Sequence, residues 1–374
     1  MSLRKIDSVT GHNAFRGLKT EALVVIDPKD EFKLMPITLD EVRDDEVLVE
    51  MKYSGICHTV CMLAFAGFTI QPRSSCPQDI VFQQGLLPTV EFPAIFGHEG
   101  AGVVRAIGPH VKDRNLQVGD HVLLSFTVCE TCKQCRNGHP SYCHKHPQMN
   151  HNGVRASDRS TPAKLEDGRS VRSQFFGHSS FSRMSVVHEQ SVVKCDYPDS
   201  LAIYAPLGCG FQTGAGTILN VLKPAQDQSI VIFGLGSVGL TAIMAAKYLG
   251  VETIIAIDIV EGKLALAKEL GASHTVNSLQ HADIVKAIKD MTREGADFAI
   301  DCTGLVKVIQ SVIECIAPCG TAVSVGVPPA GIKIEIDPLS FLLENKRYIG
   351  VIEGDSVPKT VRMQVGNLIV VRRC

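Results

Sequence analysis

Ser229-Ile-Val-Ile-Phe233 followed by Gly234-Leu-Gly236-Ser-Val-Gly239 decides how the second half of this chain folds. The first five residues read as a buried strand, and the stretch from Leu240 to Leu249 reads as a helix. Between them lies the spacing that a dinucleotide fingerprint requires. Gly234 makes a tight turn, Gly236 admits a pyrophosphate, and Gly239 lets helix and strand pack closely, with Val238 in the same turn. Backbone amides at the helix N-terminus then face the phosphates. Asp258 stands nineteen residues past Gly239, at the end of the next strand, where a carboxylate can accept hydrogen bonds from a ribose diol. A carboxylate there repels a 2′-phosphate and no Arg follows it, so NAD is expected over NADP.

Outward from that turn, strand and helix signals alternate. Thr253–Ile257, His274–Val276, Ala296–Asp301 and Gly320–Val327 read as strands, with helices over Gly262–Leu270, Ile284–Met291 and Val306–Ala317. This order predicts right-handed βαβ units and a doubly wound parallel sheet, an α/β (Rossmann) domain. From Lys19 to about Cys209 the chain reads instead as short strands broken by Gly and Pro, among them Ala22–Ile26, Glu46–Glu50 and Ala101–Arg105. That half is expected to be β-rich. Residues 144–175, with Asn152-Gly153 and Asp167-Gly168, read as a long polar loop.

The chain has 374 residues, 45% of them hydrophobic and 20% charged, and a net charge of -2, so a nucleic acid or membrane partner is not expected. No signal-peptide core or membrane-length apolar run is evident, which predicts a cytoplasmic protein. In that setting the cysteines are expected as thiols and metal ligands. Cys129, Cys132, Cys135 and Cys143 lie within one short run. Four thiolates can wrap a tetrahedral Zn²⁺ and leave no position for substrate, which makes such a zinc structural. A disulfide cluster would need an export signal in support.

A second donor set is scattered over Cys57-His58-Thr59, Gly97-His98-Glu99-Gly100 and Leu207-Gly208-Cys209-Gly210. Two Cys and one His would leave a zinc with one open position, as catalysis needs. Taken singly, His98 or Cys209 reads more readily as a packed core residue than as a ligand, and spacing alone does not bring the segments together.

In their order along the chain, Cys57-His-Thr59, Gly97–Val104, Leu207–Thr217 and the four-cysteine lobe resemble the zinc-dependent medium-chain alcohol dehydrogenases. The resemblance covers about Lys19 to Lys359, and within the family it is strongest to fungal aryl or benzyl-alcohol enzymes. It implies a GroES-like catalytic domain over 1–209, a dinucleotide-binding domain over 210–350, and a truncated or aberrant C-terminal part of the catalytic domain over 351–374. It implies Cys57, His98 and Cys209 as ligands of a catalytic zinc beside the structural one, with Glu99 nearby or alternate. Lys263 is implied at the adenosine ribose, His58 near the pyrophosphate, and Thr59 as acceptor of the alcohol proton. The expected reaction interconverts a primary, aromatic or allylic alcohol and its aldehyde with NAD, in a homodimer or homotetramer. Glutathione-dependent formaldehyde oxidation is the alternative enzymatic reading. An inactive, mis-spliced polypeptide is the non-enzymatic one.

Two departures from the family pattern stand out. Val60 follows Thr59, and the expected acid reappears as Asp79, where it would orient the zinc-binding His. Removing residues 60–78 brings the Cys57-to-His98 separation from 41 to 22, near the family's spacing, so the segment reads as an insert, either a retained intron or a lineage-specific loop beside the substrate cleft. Val81 stands where some relatives carry a relay His, and resemblance stops after Lys359, which predicts an aberrant ending over 360–374.

Overall fold

The computed structural model describes residues 15–56, 91–328 and 331–359. Cys57, His58, Thr59, Asp79, Val81 and the segments 60–78 and 360–374 lie outside the described residues. Within them the chain forms two compact units, one built from 15–55, 91–129 and 144–208, the other from 130–143 and the chain from Cys209 on. No helix among the described residues is long and apolar enough to cross a membrane.

Among the described residues the first unit contains ten strands. They are β1 (Lys19–Val25), β2 (Lys33–Leu39), β3 (Glu46–Gly55), β4 (Ala94–Ile95), β5 (Glu99–Ile107), β6 (His121–Leu124), β7 (Ala163–Leu165), β8 (Ser170–Val171), β9 (Met184–His188) and β10 (Val192–Lys194). They form two five-stranded sheets, ordered β4-β1-β2-β7-β8 and β10-β6-β5-β3-β9. Strand β3 shows why the unit holds together. Successive side chains of a strand point to opposite faces. Leu48 therefore packs with Ala22, Val24, Ile37 and Ile95, while Val47 and Val49 pack on the other face with Val104, Val122, Leu124 and Val187. All three are fully buried, so this strand is covered on both sides.

Residues 144–175 are more ordered than a polar loop. They hold a short helix, His146–Asn150, and the hairpin β7–β8, in which Ala163 pairs with Val171 across the Asp167-Gly168 turn. Arg155 anchors the segment. Its guanidinium is buried and donates to Glu46 Oε1 at 2.8 Å, Glu46 Oε2 at 3.1 Å and Asp40 Oδ2 at 2.9 Å.

In the second unit β11 (Ser229–Phe233), β12 (Thr253–Asp258), β13 (His274–Asn277), β14 (Ala296–Asp301), β15 (Ile316–Ser324) and β16 (Arg347–Gly350) form one sheet. Every pairing is parallel and the order is β13-β12-β11-β14-β15-β16. This is the doubly wound order, with a switch point between β11 and β14, outside whose carboxyl ends a ligand crevice is expected. Helices Ser237–Tyr248, Glu261–Leu270, Ile284–Thr292 and Val306–Glu314 connect the strands.

Two expectations about this unit are corrected. The helix predicted over Val306–Ala317 ends at Glu314, and β15 starts at Ile316. Pro318 disfavours a helical conformation at Ala317. The resemblance also implies Gly320–Val327 as the sheet's edge strand, through which copies would associate, yet β16 lies outside β15, with Thr321 paired to Arg347 and Ser324 to Gly350. A four-residue strand after the helix Pro338–Glu344 carries too short a pattern to be read from sequence.

Candidate metal centres and dinucleotide site

The glycine turn emerges from β11 at the switch point. Gly234 has φ +88°, in the left-handed region that L side chains avoid, and a Cβ on Gly239 would come 2.0 Å from the Gly234 carbonyl oxygen. Helix Ser237–Tyr248 starts at Gly236 with no side chain capping its first amides, which leaves that turn suited to an anion. Val238 is half-buried in it.

Asp258 closes the far side of the turn. The Leu235 N–H donates to its Oδ2 at 2.8 Å, and the Ile259 and Val260 N–H groups donate to Oδ1 at 2.8 and 3.0 Å. Lys263 Nζ is 3.8 Å from Oδ2. A carboxylate offers about four lone-pair sites, so three amides leave capacity for a hydroxyl. Across the switch point Asp301 is buried at the end of β14. Burial pushes its carboxyl up, opposed by donors from Thr303 and Gly304.

His98 and Glu99 sit at the start of β5, both buried, and Cys209 follows directly on Gly208, where the first unit's chain ends. One donor atom each from His98, Glu99 and Cys209 lies within 4.8 Å of the others. A nitrogen, a carboxylate oxygen and a thiol sulfur so gathered, away from solvent, make a donor set that suits zinc. Cys57, the third implied ligand, and Thr59, His58 and Asp79 lie outside the described residues.

The sulfurs of Cys129, Cys132, Cys135 and Cys143 likewise all lie within 4.8 Å of one another, with Cys132 and Cys135 at 3.5 Å. None is in a disulfide. Thiolates at about 2.3 Å from a tetrahedral zinc sit roughly 3.8 Å apart, so this cage fits that ion. Local backbone shapes it, with Arg136 N–H donating to the Cys132 carbonyl at 3.1 Å and Cys143 N–H to the Pro140 carbonyl at 2.9 Å.

Three features here are not evident in the sequence. Phe176 lies against His98, ring centroids 4.8 Å apart, and has φ +52°. Such a conformation costs about 1–3 kcal/mol and persists only where contacts hold it. Here the Phe176 carbonyl accepts from Ser191 Oγ at 2.9 Å and lies 2.8 Å from His178 Nδ1. Beyond Phe176 stand His146 and His151, and burial pushes both imidazoles down to about 4. Among the described residues His146 Nε2 has no hydrogen-bond partner. The third is Glu353, a buried carboxylate 3.9 Å from Cys209 Sγ. Its nearness to Cys209 joins positions 144 residues apart, which no local pattern announces.

A family model described as the alcohol dehydrogenase GroES-like domain matches residues 43–198, and one described as zinc-binding dehydrogenase matches residues 237–368. The chain is similar to the geraniol dehydrogenase of Castellaniella defragrans, 37% identical over 326 residues, which is 87% of this chain and 80% of that protein. Among solved structures it is similar to an alcohol dehydrogenase zinc-binding domain protein from Burkholderia ambifaria, with a TM-score of 0.84 and 37% identity over 95% of this chain and 90% of the other. It is also similar to the benzyl alcohol dehydrogenase of Acinetobacter calcoaceticus, with a TM-score of 0.81 and 35% identity over 94% and 90%.

Proposed function

The chain belongs to the zinc-dependent medium-chain alcohol dehydrogenases, and from that premise we propose that it interconverts a primary aromatic or allylic alcohol and its aldehyde with NAD. The observation that carries the proposal is the buried His98, Glu99 and Cys209 donor cluster. Relatives named for geraniol, an allylic alcohol, and benzyl alcohol, an aromatic one, support the substrate class. Asp258, already held by three backbone amides, supports NAD, because a 2′-phosphate beside that carboxylate would be repelled.

In this reading Cys57, His98 and Cys209 would hold one zinc, with Glu99 alternate, and the four cysteines of the lobe would hold a second. Bound zinc supplies Lewis acidity towards the substrate oxygen, and bound NAD supplies a hydride acceptor. Thr59 would accept the hydroxyl proton, and His58 would stand near the pyrophosphate. One proton and one hydride leave the alcohol, which balances its conversion to an aldehyde. Phe175 and Phe176 flank His98 and keep water from that side of the centre. Gly234 and Gly236 let the backbone approach the pyrophosphate, and Asp258 with Lys263 takes the adenosine ribose.

We assign residues 1–209 to the GroES-like domain and 210–350 to the dinucleotide-binding domain, and we read 60–78 as an insert in the first. The expected self-association as dimer or tetramer gains support from exposed Leu339, Leu342 and Leu343 on the helix preceding edge strand β16. The test is a panel of benzyl alcohol, geraniol, ethanol and S-hydroxymethylglutathione, each with NAD and with NADP. Turnover highest for the first two with NAD is expected. Turnover confined to the glutathione adduct would establish the formaldehyde-oxidising alternative.

A further inference from the structure

The turn that carries Glu353 has an unusual backbone and is clamped from two sides. Glu353, Gly354 and Asp355 have φ of +50°, +61° and +45°, three left-handed residues in succession. Chains hold such conformations where neighbours over-determine them, often beside functional groups. One clamp is the helix Gly210–Gly216. A Cβ on Gly354 would come 2.4 Å from the Gln212 carbonyl oxygen and 2.8 Å from Gly216 Cα, so the two backbones touch directly. Asn220 Nδ2 donates to the Gly354 carbonyl at 3.0 Å and to the Asp355 carbonyl at 3.3 Å.

The other clamp is the four-cysteine lobe. His139 Nδ1 is 2.6 Å from Asp355 Oδ2, and Ser356 N–H donates to Ser141 Oγ at 3.1 Å. Ser141 Oγ donates to the Ser356 carbonyl and Tyr142 O–H to the Gly350 carbonyl, each at 3.3 Å. Residues 139–142 lie inside the loop that Cys135 and Cys143 close, so the cage sets where these groups stand.

Between the clamps, Glu353 faces Cys209. Gln212 Nε2 donates to its Oε2 at 3.0 Å and Thr213 Oγ1 at 3.5 Å, and Cys209 Sγ lies 3.9 Å from Oε1. A buried carboxylate is costly, and an apolar side chain would fill the space at less cost. Gln212 and Thr213 both stand in the first turn of the helix that Cys209 caps, where Thr213 N–H donates to the Cys209 carbonyl at 2.9 Å, so the carboxylate holds the backbone from which the sulfur projects.

We propose that Glu353 is a positioning residue of the metal centre to which Cys209 belongs, fixing through Gln212 and Thr213 the first turn of the helix that Cys209 caps, and that the four-cysteine lobe sets the place of Glu353. The inference rests on the reading of Cys209 and His98 as metal ligands. It makes the lobe more than a local brace, since its integrity reaches the second centre through Asp355 and Ser356.

The test uses the full chain loaded with zinc and then with cobalt, in the wild type and as Glu353→Ala, Glu353→Gln and Asp355→Asn. The readouts are metal retained against a graded chelator and the sulfur-to-cobalt charge-transfer absorption of the Cys209 centre. Glu353→Ala is expected to lose that metal at ~10-fold lower chelator or less while the lobe keeps its own. Glu353→Gln, which still bonds Gln212, is expected to restore retention but shift the absorption, because the group facing the sulfur has changed. Asp355→Asn, which weakens the link to the lobe, is expected to shift it too. An unshifted absorption in Glu353→Gln would overturn the inference even if Glu353→Ala failed to fold. A wild type that binds metal only at the lobe would overturn the reading of Cys209 as a ligand, and this inference with it. A wild type loaded at both centres, with all variants unchanged, would overturn the inference alone.

Discussion

Asp258 braces the glycine turn through Leu235 N–H, and in the proposed reading the same carboxylate faces the adenosine ribose and repels a 2′-phosphate. Asp258→Asn removes the charge and keeps one of the two oxygens that accept from backbone amides. The expected outcome is a kcat/KM for NAD lower by ~10–100-fold and an NADP-to-NAD ratio raised at least as much, since a hydrogen bond to a charged group is worth about 1.5–3 kcal/mol. Steady-state kinetics with both cofactors checks it. His146 makes a different prediction. Its imidazole is held neutral by burial, with a pKa near 4 against 6.5 when exposed, so the unfolded chain binds the proton more readily between those values. The stability contribution is present above about pH 6.5 and is lost as pH falls towards 4. Urea midpoints at saturating zinc should fall less between pH 7 and pH 4.5 in His146→Phe than in the wild type, by an amount equivalent to about 3 kcal/mol at most. At this scale Asp258 was legible from its offset to the glycine turn, whereas His98 and Cys209 were legible only through the family resemblance. His146, Phe176 and Glu353 were not, because their roles come from contacts between distant segments.

Among the elements, the salt-bridged segment 144–175 carries the sharpest stability prediction. Arg155 and Glu46 are both buried, with Nε–Oε1 at 2.8 Å, and removing one partner strands a buried charge. Arg155→Ala is expected to cost about 3–5 kcal/mol in denaturant unfolding, whereas Arg155→Met with Glu46→Gln together should recover much of it. A cost under about 1 kcal/mol for the single variant would mean that water already screens the pair. The parallel strands β11 to β14 were legible as apolar runs punctuated by glycine. The hairpin β7–β8 was not, because its strands are three and two residues long, too short for alternation to register. Helix Val306–Glu314 was read too far for a similar reason. Its apolar pattern continues into β15, and only Pro318 marks the change.

On the scale of the whole molecule, two independent folding patterns are joined in one chain, and each was announced by different letters. Antiparallel sheets built on two-faced strands such as β3 hold His98 and Glu99, and the doubly wound sheet holds the glycine turn. The four-cysteine lobe was legible at once because its ligands are close in sequence. The donor cluster was legible only by resemblance, since His98 and Cys209 are 111 residues apart and fold alone brings them together. Residues 60–78 fall between Thr59 and Asp79, and a variant lacking them should retain metal at His98 and Cys209 at least as tightly as the full chain. Weaker retention against chelator would make the segment a working part of the centre. The most direct measurement is NADH formation from benzyl alcohol and geraniol by the full chain, before chelation, after removal of the His98–Cys209 metal, and after zinc is restored. Turnover that vanishes with that metal and returns with zinc is predicted. Turnover that persists in metal-free protein, or none in protein loaded at both centres, would contradict the account.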